Sequence, residues 1–184
     1  MNIIIMGPPG SGKSTQAKLL AWRLGLAHVA PGDITRQIAS EDTDDGRTVK
    51  EIMNKGELPP FEILFRKVKK ILESSPQGAV MDGYPREENQ IFMVEEFLKE
   101  KGTQIDKVIV IDLSNEEGQK RMLARAKLEG RTDDTPEVIK HRFEVYREQT
   151  KPIVGYYEGQ GKVVHIDGNG SVPEVTSRIN KMFT

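Results

Sequence analysis

Ile3-Ile4-Ile5-Met6-Gly7-Pro8-Pro9-Gly10-Ser11-Gly12-Lys13-Ser14-Thr15 opens the chain with an apolar run, a glycine-rich loop and the start of a helix. The loop fits G-x-x-x-x-G-K-[ST], and it stands directly between a predicted strand and a predicted helix, the context in which this pattern cradles phosphate. Glycines let the backbone curl so that successive N–H groups at Gly10, Ser11 and Gly12 point inward at phosphate oxygens. The helix N-terminus adds its partial positive charge. Lys13 can reach the β- and γ-phosphates, and Ser14 or Thr15 offers a hydroxyl toward Mg²⁺. The reading up to this point is a nucleoside triphosphate site of unspecified reaction.

Outward from the loop, further short apolar runs read as buried parallel strands: Ala79-Val80-Met81, Val108-Ile109-Val110-Ile111, Val163-Val164-His165-Ile166 and, more faintly, Ala27-His28-Val29-Ala30. They are apolar on both faces, as strands are when crossover helices cover both sides of a sheet. Helical patterns lie between them. Ala17, Leu20, Ala21 and Leu24 form a stripe that stops at Gly25. Ser114 with Glu117, and Ser171 with Glu174, have capping-box spacing. Thr135-Pro136 reads as an N-cap and first helical residue, with Ile139, Phe143 and Tyr146 continuing that helix. Alternating strands and helices predict an α/β fold with an open parallel sheet and helices on both faces. Residues 31–60, polar and helical without a strand, and residues 127–134, short and charged, stand outside this rhythm and read as lids.

Asp82 closes an apolar strand, where an acid can hold Mg²⁺ directly or through water. Gly83-Tyr84-Pro85-Arg86 follows at once, which puts a guanidinium at the sheet edge where open α/β folds bind ligands. Arg121 and Arg125 share one helix face, Arg131 lies in the charged loop beyond and Arg142 on the next helix. Four arginines flanking one loop suit phosphoryl transfer, which spreads charge over three equatorial oxygens. Arg36, behind Pro31-Gly32-Asp33, could hold a second phosphate. No catalytic base is required, because a phosphate monoester with a second pKa of about 6 is already largely dianionic near neutral pH. His28, His141 and His165 show no ligand spacing; His28 and His165 read as strand residues and His141 as surface.

Bulk properties narrow the field. The 184 residues suit one domain, and a net charge of -1 gives no general pull toward nucleic acid or an anionic membrane. The absence of cysteine removes disulfides, thiol catalysis and Cys-ligated zinc. No apolar run approaches membrane-spanning length, and Met1 leads into Gly7 without room for a signal segment, so a cytoplasmic protein is expected. No heptad or apolar edge suggests a partner subunit, and a monomer is expected.

The chain resembles adenylate kinases, specifically the zinc-free form with a short lid. The resemblance runs through the phosphate loop, His28-Val29-Ala30-Pro31-Gly32-Asp33-Ile34-Thr35-Arg36, Gly56-Glu57-Leu58-Pro59-Pro60, Asp82-Gly83-Tyr84-Pro85-Arg86 with Gln90, Gly130-Arg131-Thr132-Asp133-Asp134 and Asp167-Gly168-Asn169-Gly170-Ser171-Val172. It implies a P-loop NTPase fold over residues 1–184, with a monophosphate-binding flap at 30–59 and a lid at 125–134. It implies that Mg²⁺-dependent transfer of the terminal phosphoryl group from ATP to AMP gives two ADP. In that reading Arg36 and Arg86 hold the AMP phosphate, Gln90 pairs with adenine, and Pro31, Glu57, Leu58, Pro59, Gly83, Tyr84 and Pro85 line the AMP site. Arg121 stacks on the ATP base, with the turn at Gly170 against it. Lys13, Arg86, Arg125, Arg131 and Arg142 gather around the transferring group, and Asp33 and Asp82 orient waters on Mg²⁺.

Two positions depart from the AMP-reading pattern. Pro31 stands where such kinases carry Thr, losing a hydroxyl and an N–H, and Pro59 replaces an aliphatic residue. Uridylate/cytidylate kinases tend to carry Ala at the Pro31 position and lack the Gln at Gln90. A pyrimidine or broad-specificity nucleoside monophosphate kinase is therefore the nearest alternative. A nucleotide-dependent switch is the alternative of a different class; its N-K-x-D element has only Asn54-Lys55-Gly56-Glu57 as a counterpart.

Overall fold

The first strand, β1 (Asn2–Met6), is apolar on both faces and is wholly buried. Ile3 and Ile5 enter one core with Ala17, Leu20, Ile109 and Val175, whereas Ile4 and Met6 enter the other with Met81, Val108, Val94 and Tyr157. Burying one such side chain is worth about 1.5–3 kcal/mol, an incentive that holds β1 at the centre of the sheet. The structure, a computed structural model, describes residues 1–130 and 134–183. Four strands join β1 in one parallel sheet of order β2-β3-β1-β4-β5: β2 (Ala27–Val29), β3 (Ala79–Asp82), β4 (Ile105–Asp112) and β5 (Val163–Asp167). All five expected strands are present. The connections run to opposite sides of β1, so its C-terminal end is a topological switch point. Ile5 lies in register with Asp82, which brings the phosphate loop and Asp82-Gly83 to the same sheet edge.

On one face pack α1 (Lys13–Leu24) and α9 (Val172–Asn180). The other face carries α4 (Phe61–Glu73), α5 (Glu88–Glu100) and α8 (Lys151–Glu158), none of which the patterns above single out. An arm of α2 (Pro31–Ala39) and α3 (Asp44–Lys55) fills the strandless region, and α6 (Asn115–Glu129) and α7 (Pro136–Val145) flank the charged loop. Among the described residues no helix is long and apolar enough to cross a membrane.

Local signals decide most helix ends. Gly25 takes φ 65° and closes α1, and the Thr135 side chain accepts from the Val138 N–H at 3.3 Å to open α7. Ser171 and Glu174 form the reciprocal capping box, with the Ser171 N–H donating to Glu174 at 2.7 Å. At Ser114 only half of the box forms: its hydroxyl oxygen accepts from the Glu117 N–H at 3.2 Å, but the Glu117 carboxylate turns to Arg121 at 2.8 Å. The α7 pattern also ends earlier than expected. Tyr146–Thr150 is a π-helical segment, with the Lys151 N–H reaching the Tyr146 carbonyl five residues back. Pro152 follows and has no N–H for the next α-helical bond, which accounts for the change of winding.

Candidate active site

Gly12, at φ 83°, lets the loop turn into α1 so that Lys13 is the first helical residue. A side chain at Gly10 would lie 2.3 Å from the Gly118 carbonyl oxygen, and one at Gly118 would lie 2.6 Å from that of Pro9. The phosphate loop and α6 are therefore in backbone contact, which only glycines permit. A lone glycine inside the α6 pattern was the available signal for this contact.

Above the sheet edge is a cleft of about 430 Å³. The phosphate loop contributes Gly10, Lys13, Ser14 and Thr15 to its walls; the β3 edge contributes Asp82, Gly83 and Arg86. From the arm come Asp33, Arg36, Glu57, Leu58 and Pro59, and from α6 and α7 come Arg125 and Arg142. Other residues singled out from the sequence lie outside its walls. Ser11 is buried within the loop, its hydroxyl without a partner among the described residues, and Pro31 is buried as the first residue of α2. Tyr84 is buried in the core beside Pro85, with a cis bond between them. Arg121 donates to Glu117 at 2.8 Å and to the Gly168 carbonyl at 3.2 Å, tying α6 to the β5–α9 turn that holds Gly170. Arg131 lies outside the described residues.

Gln90 is buried and engaged at both ends. Its Oε1 accepts from the Arg86 N–H at 2.8 Å, and its Nε2 donates to Glu87 at 3.2 Å. Arg86 is further held by its own Nε–H to the Gly83 carbonyl, at 2.8 Å, and by the Thr150 hydroxyl, which donates to the Arg86 carbonyl at 3.1 Å. Thr150 belongs to the π-helical segment, 64 residues away in sequence, and nothing local announces its role. Asp134, given no role in the sequence reading, has a wholly buried side chain that receives Arg125 at 2.6 Å and pairs also with Arg142. One carboxylate thus orients two guanidinium groups at the cleft through charge-assisted hydrogen bonds.

The cleft is crowded with positive charge. Burial pulls the Lys13 ammonium down to about 8, against the attraction of Asp82 and with help from Arg86, Arg125 and Arg142. Burial also lowers Arg86, again opposed by Asp82. Such a site suits an anion. In the free protein Lys13 is charged below about pH 8 and loses its proton above it. A bound polyphosphate restores the proton, so affinity for ATP should fall as the pH rises from about 7 to about 9.5. Calorimetry at about pH 8.5 in buffers of different ionisation enthalpy should register proton uptake on ATP binding, and Lys13→Arg should abolish it. The same shift sets the sign for stability: charged Lys13 costs the free fold stability in full below about pH 8, and the cost shrinks progressively as the pH rises from about 8 toward the ordinary lysine value of 10.5.

Asp82 is 5% exposed, and its Oδ1 has no hydrogen-bond partner among the described residues. A buried carboxylate oxygen left unpaired at a phosphate site fits a hydrated divalent cation. Ser14 and Asp33 line the same cleft, the latter ion-paired to Arg36. His28 also lines it, from β2, and His165 bridges Asp112 and Glu158 away from it, both as strand residues; half-exposed His141 faces Glu144.

Comparison with known proteins agrees with this geometry. The family model described as adenylate kinase matches residues 5–162. An adenylate kinase of Thermus thermophilus is 40% identical over 177 residues, covering 96% of this chain and 94% of the relative. That of Kocuria rhizophila is 41% identical over 96% of this chain and 95% of its own length. That of Parabacteroides distasonis is 38% identical over 98% of this chain and 96% of its own.

Proposed function

The chain belongs to the adenylate kinase family and transfers the terminal phosphoryl group of ATP to AMP, giving two ADP; on that premise we propose how its own residues do so. The observation that carries the assignment of roles is the single cleft in which the phosphate loop and the Arg36–Arg86 pair face one another. One triphosphate and one monophosphate, each held by its own cations, would meet end to end there.

In this reading Gly10, Ser11, Gly12, Ser14 and Thr15 cradle the ATP phosphates through backbone N–H groups and hydroxyls, and Lys13 spans the β- and γ-oxygens. Arg121 and the Gly170 turn take the ATP base on the far side of α6. Arg36 and Arg86 hold the AMP phosphate in line, while Glu57, Leu58 and Pro59 line its nucleoside. Gln90 pairs with the adenine of AMP, and its Oε1 also fixes the Arg86 backbone. Arg125, Arg142 and, beyond the described residues, Arg131 close on the transferring group. Ser14, Asp33 and Asp82 would hold Mg²⁺, mostly through water, and the ion when bound neutralises charge on the β- and γ-phosphates. The arm at 30–59 and the lid at 125–134 exclude water, which would otherwise take the phosphoryl group.

ADP formation from ATP, measured across AMP, CMP, UMP, GMP and dTMP, tests the acceptor. AMP should give the highest kcat/KM, and ATP alone should be turned over negligibly. Preference for CMP or UMP would favour the pyrimidine reading, and turnover of ATP without acceptor would favour a switch.

A further inference from the structure

Thr150, 8% exposed, ends the π-helical segment and lines the cleft. A threonine within a helix commonly turns its hydroxyl back to the carbonyl four residues earlier. Thr35 and Thr176 do so in this chain, donating to the Pro31 carbonyl at 2.7 Å and to that of Val172 at 2.8 Å. Thr150 instead donates to the Arg86 carbonyl at 3.1 Å, 64 residues away in sequence. The wide turn accounts for the difference. One extra residue in a turn re-aims the side chains at its exit by up to about 100° round the axis, relative to an unbroken α-helix. The Lys151 N–H, bonded to the Tyr146 carbonyl, marks that extra residue.

Arg86 is thereby clamped on both sides of its backbone. Its N–H donates to Gln90 at 2.8 Å, its carbonyl receives Thr150, and its own Nε–H is tied to the Gly83 carbonyl at 2.8 Å. Among the described residues no hydrogen bond claims the terminal guanidinium nitrogens, on a side chain that lines the cleft. We propose that Thr150 is a positioning residue for the acceptor: by fixing the Arg86 carbonyl it aims the guanidinium at the acceptor's phosphate before that phosphate arrives. The proposal rests on the reading of Arg86 as a group that holds the AMP phosphate. Without the hydroxyl a part-buried carbonyl is left unsatisfied and residue 86 is free to shift, so that the fork no longer meets two oxygens at once. The helix α7, which carries Arg142, runs directly into the segment that ends at Thr150. One stretch of chain thus sets a cation for the transferring group and the aim of a cation for the acceptor.

Initial rates in both substrates, for the wild type, Thr150→Val and Thr150→Ser, test this. Valine keeps the branched shape and removes the donor, whereas serine keeps the donor. KM for AMP should rise roughly tenfold in Thr150→Val, with KM for ATP within about twofold of wild type, and Thr150→Ser should restore most of the loss. KM does not depend on how much of a preparation is folded, so partial unfolding cannot imitate the split. Thr150→Ala, which adds no bulk to the wide turn, serves if the valine variant fails to fold. A second arm places Thr150→Val in an Arg86→Ala background. There the slope of rate against AMP, well below saturation, gives kcat/KM even where saturation is out of reach. If Thr150 acts through the Arg86 side chain, its removal should cost less than about twofold in that background. An unaltered KM for AMP in the folded donor-less variant overturns the proposal. So do equal rises in KM for ATP and AMP, a Thr150→Ser that behaves like Thr150→Val, or a full further loss in the Arg86→Ala background. An Arg86→Ala that binds and phosphorylates AMP as well as wild type would instead overturn the reading of Arg86.

Discussion

Lys13→Ala is expected to lower kcat by a factor of hundreds, with the fold intact. Lys13 stands at the mouth of α1 between the phosphate loop and Gly83, with its Nζ turned to the Pro8 carbonyl at 3.4 Å. Its charge is held at some cost, since burial and three neighbouring arginines disfavour it in the free protein. That cost is recovered where negative charge builds up between the β- and γ-phosphates. Removing a positioned donor from a water-poor site of this kind raises the barrier by ~3–4 kcal/mol, or roughly 150- to 900-fold. Far-ultraviolet circular dichroism should be unchanged, because the helix begins with glycine φ values that the substitution does not touch. A variant retaining most of its kcat would show that the loop does not hold the reacting phosphates.

Arg142→Ala should rank next, and Arg142→Lys should restore only part of the loss. Arg142 shares the buried Asp134 carboxylate with Arg125, so its fork is aimed before any substrate arrives. Lysine can place a charge there but cannot grip two oxygens in one plane. A loss of ~2–3 kcal/mol in kcat/KM is expected for alanine, about 30- to 150-fold, with ATP affinity changed much less. Kinetics should be run well below the melting transition, because alanine leaves Asp134 with one partner fewer in a dry place. Equal losses in ATP affinity and kcat/KM would make Arg142 a ground-state binder.

The sheet and the phosphate loop were legible in the sequence because both are local in origin. Runs such as Ile3 to Met6 are apolar at every position, which fixes them as strands covered on both sides. The turn into α1 depends on Gly12 at φ 83° and its exit on Gly25 at φ 65°, conformations that a single residue type announces. The Ser171–Glu174 cap is likewise complete within four residues. The Ser114 box was misleading for the opposite reason. Glu117 had a second suitor in Arg121, and sequence spacing does not rank two partners for one carboxylate.

The direction of each arginine was decided by tertiary structure alone. Arg121 and Arg125 sit on one face of α6 and look equivalent in sequence. Packing sends Arg121 to the Gly168 carbonyl and Arg125 to Asp134 at the cleft. The same holds for Gln90, whose amide is claimed by Arg86, and for Thr150, which reaches Arg86 across 64 residues from a π-helical turn. A backbone conformation follows from steric limits within a few residues, and those are written in the order of side chains. Which donor meets which acceptor at the C-terminal edge of the sheet follows from how helices distant in sequence settle onto it, and only the folded chain brings those groups within hydrogen-bond range.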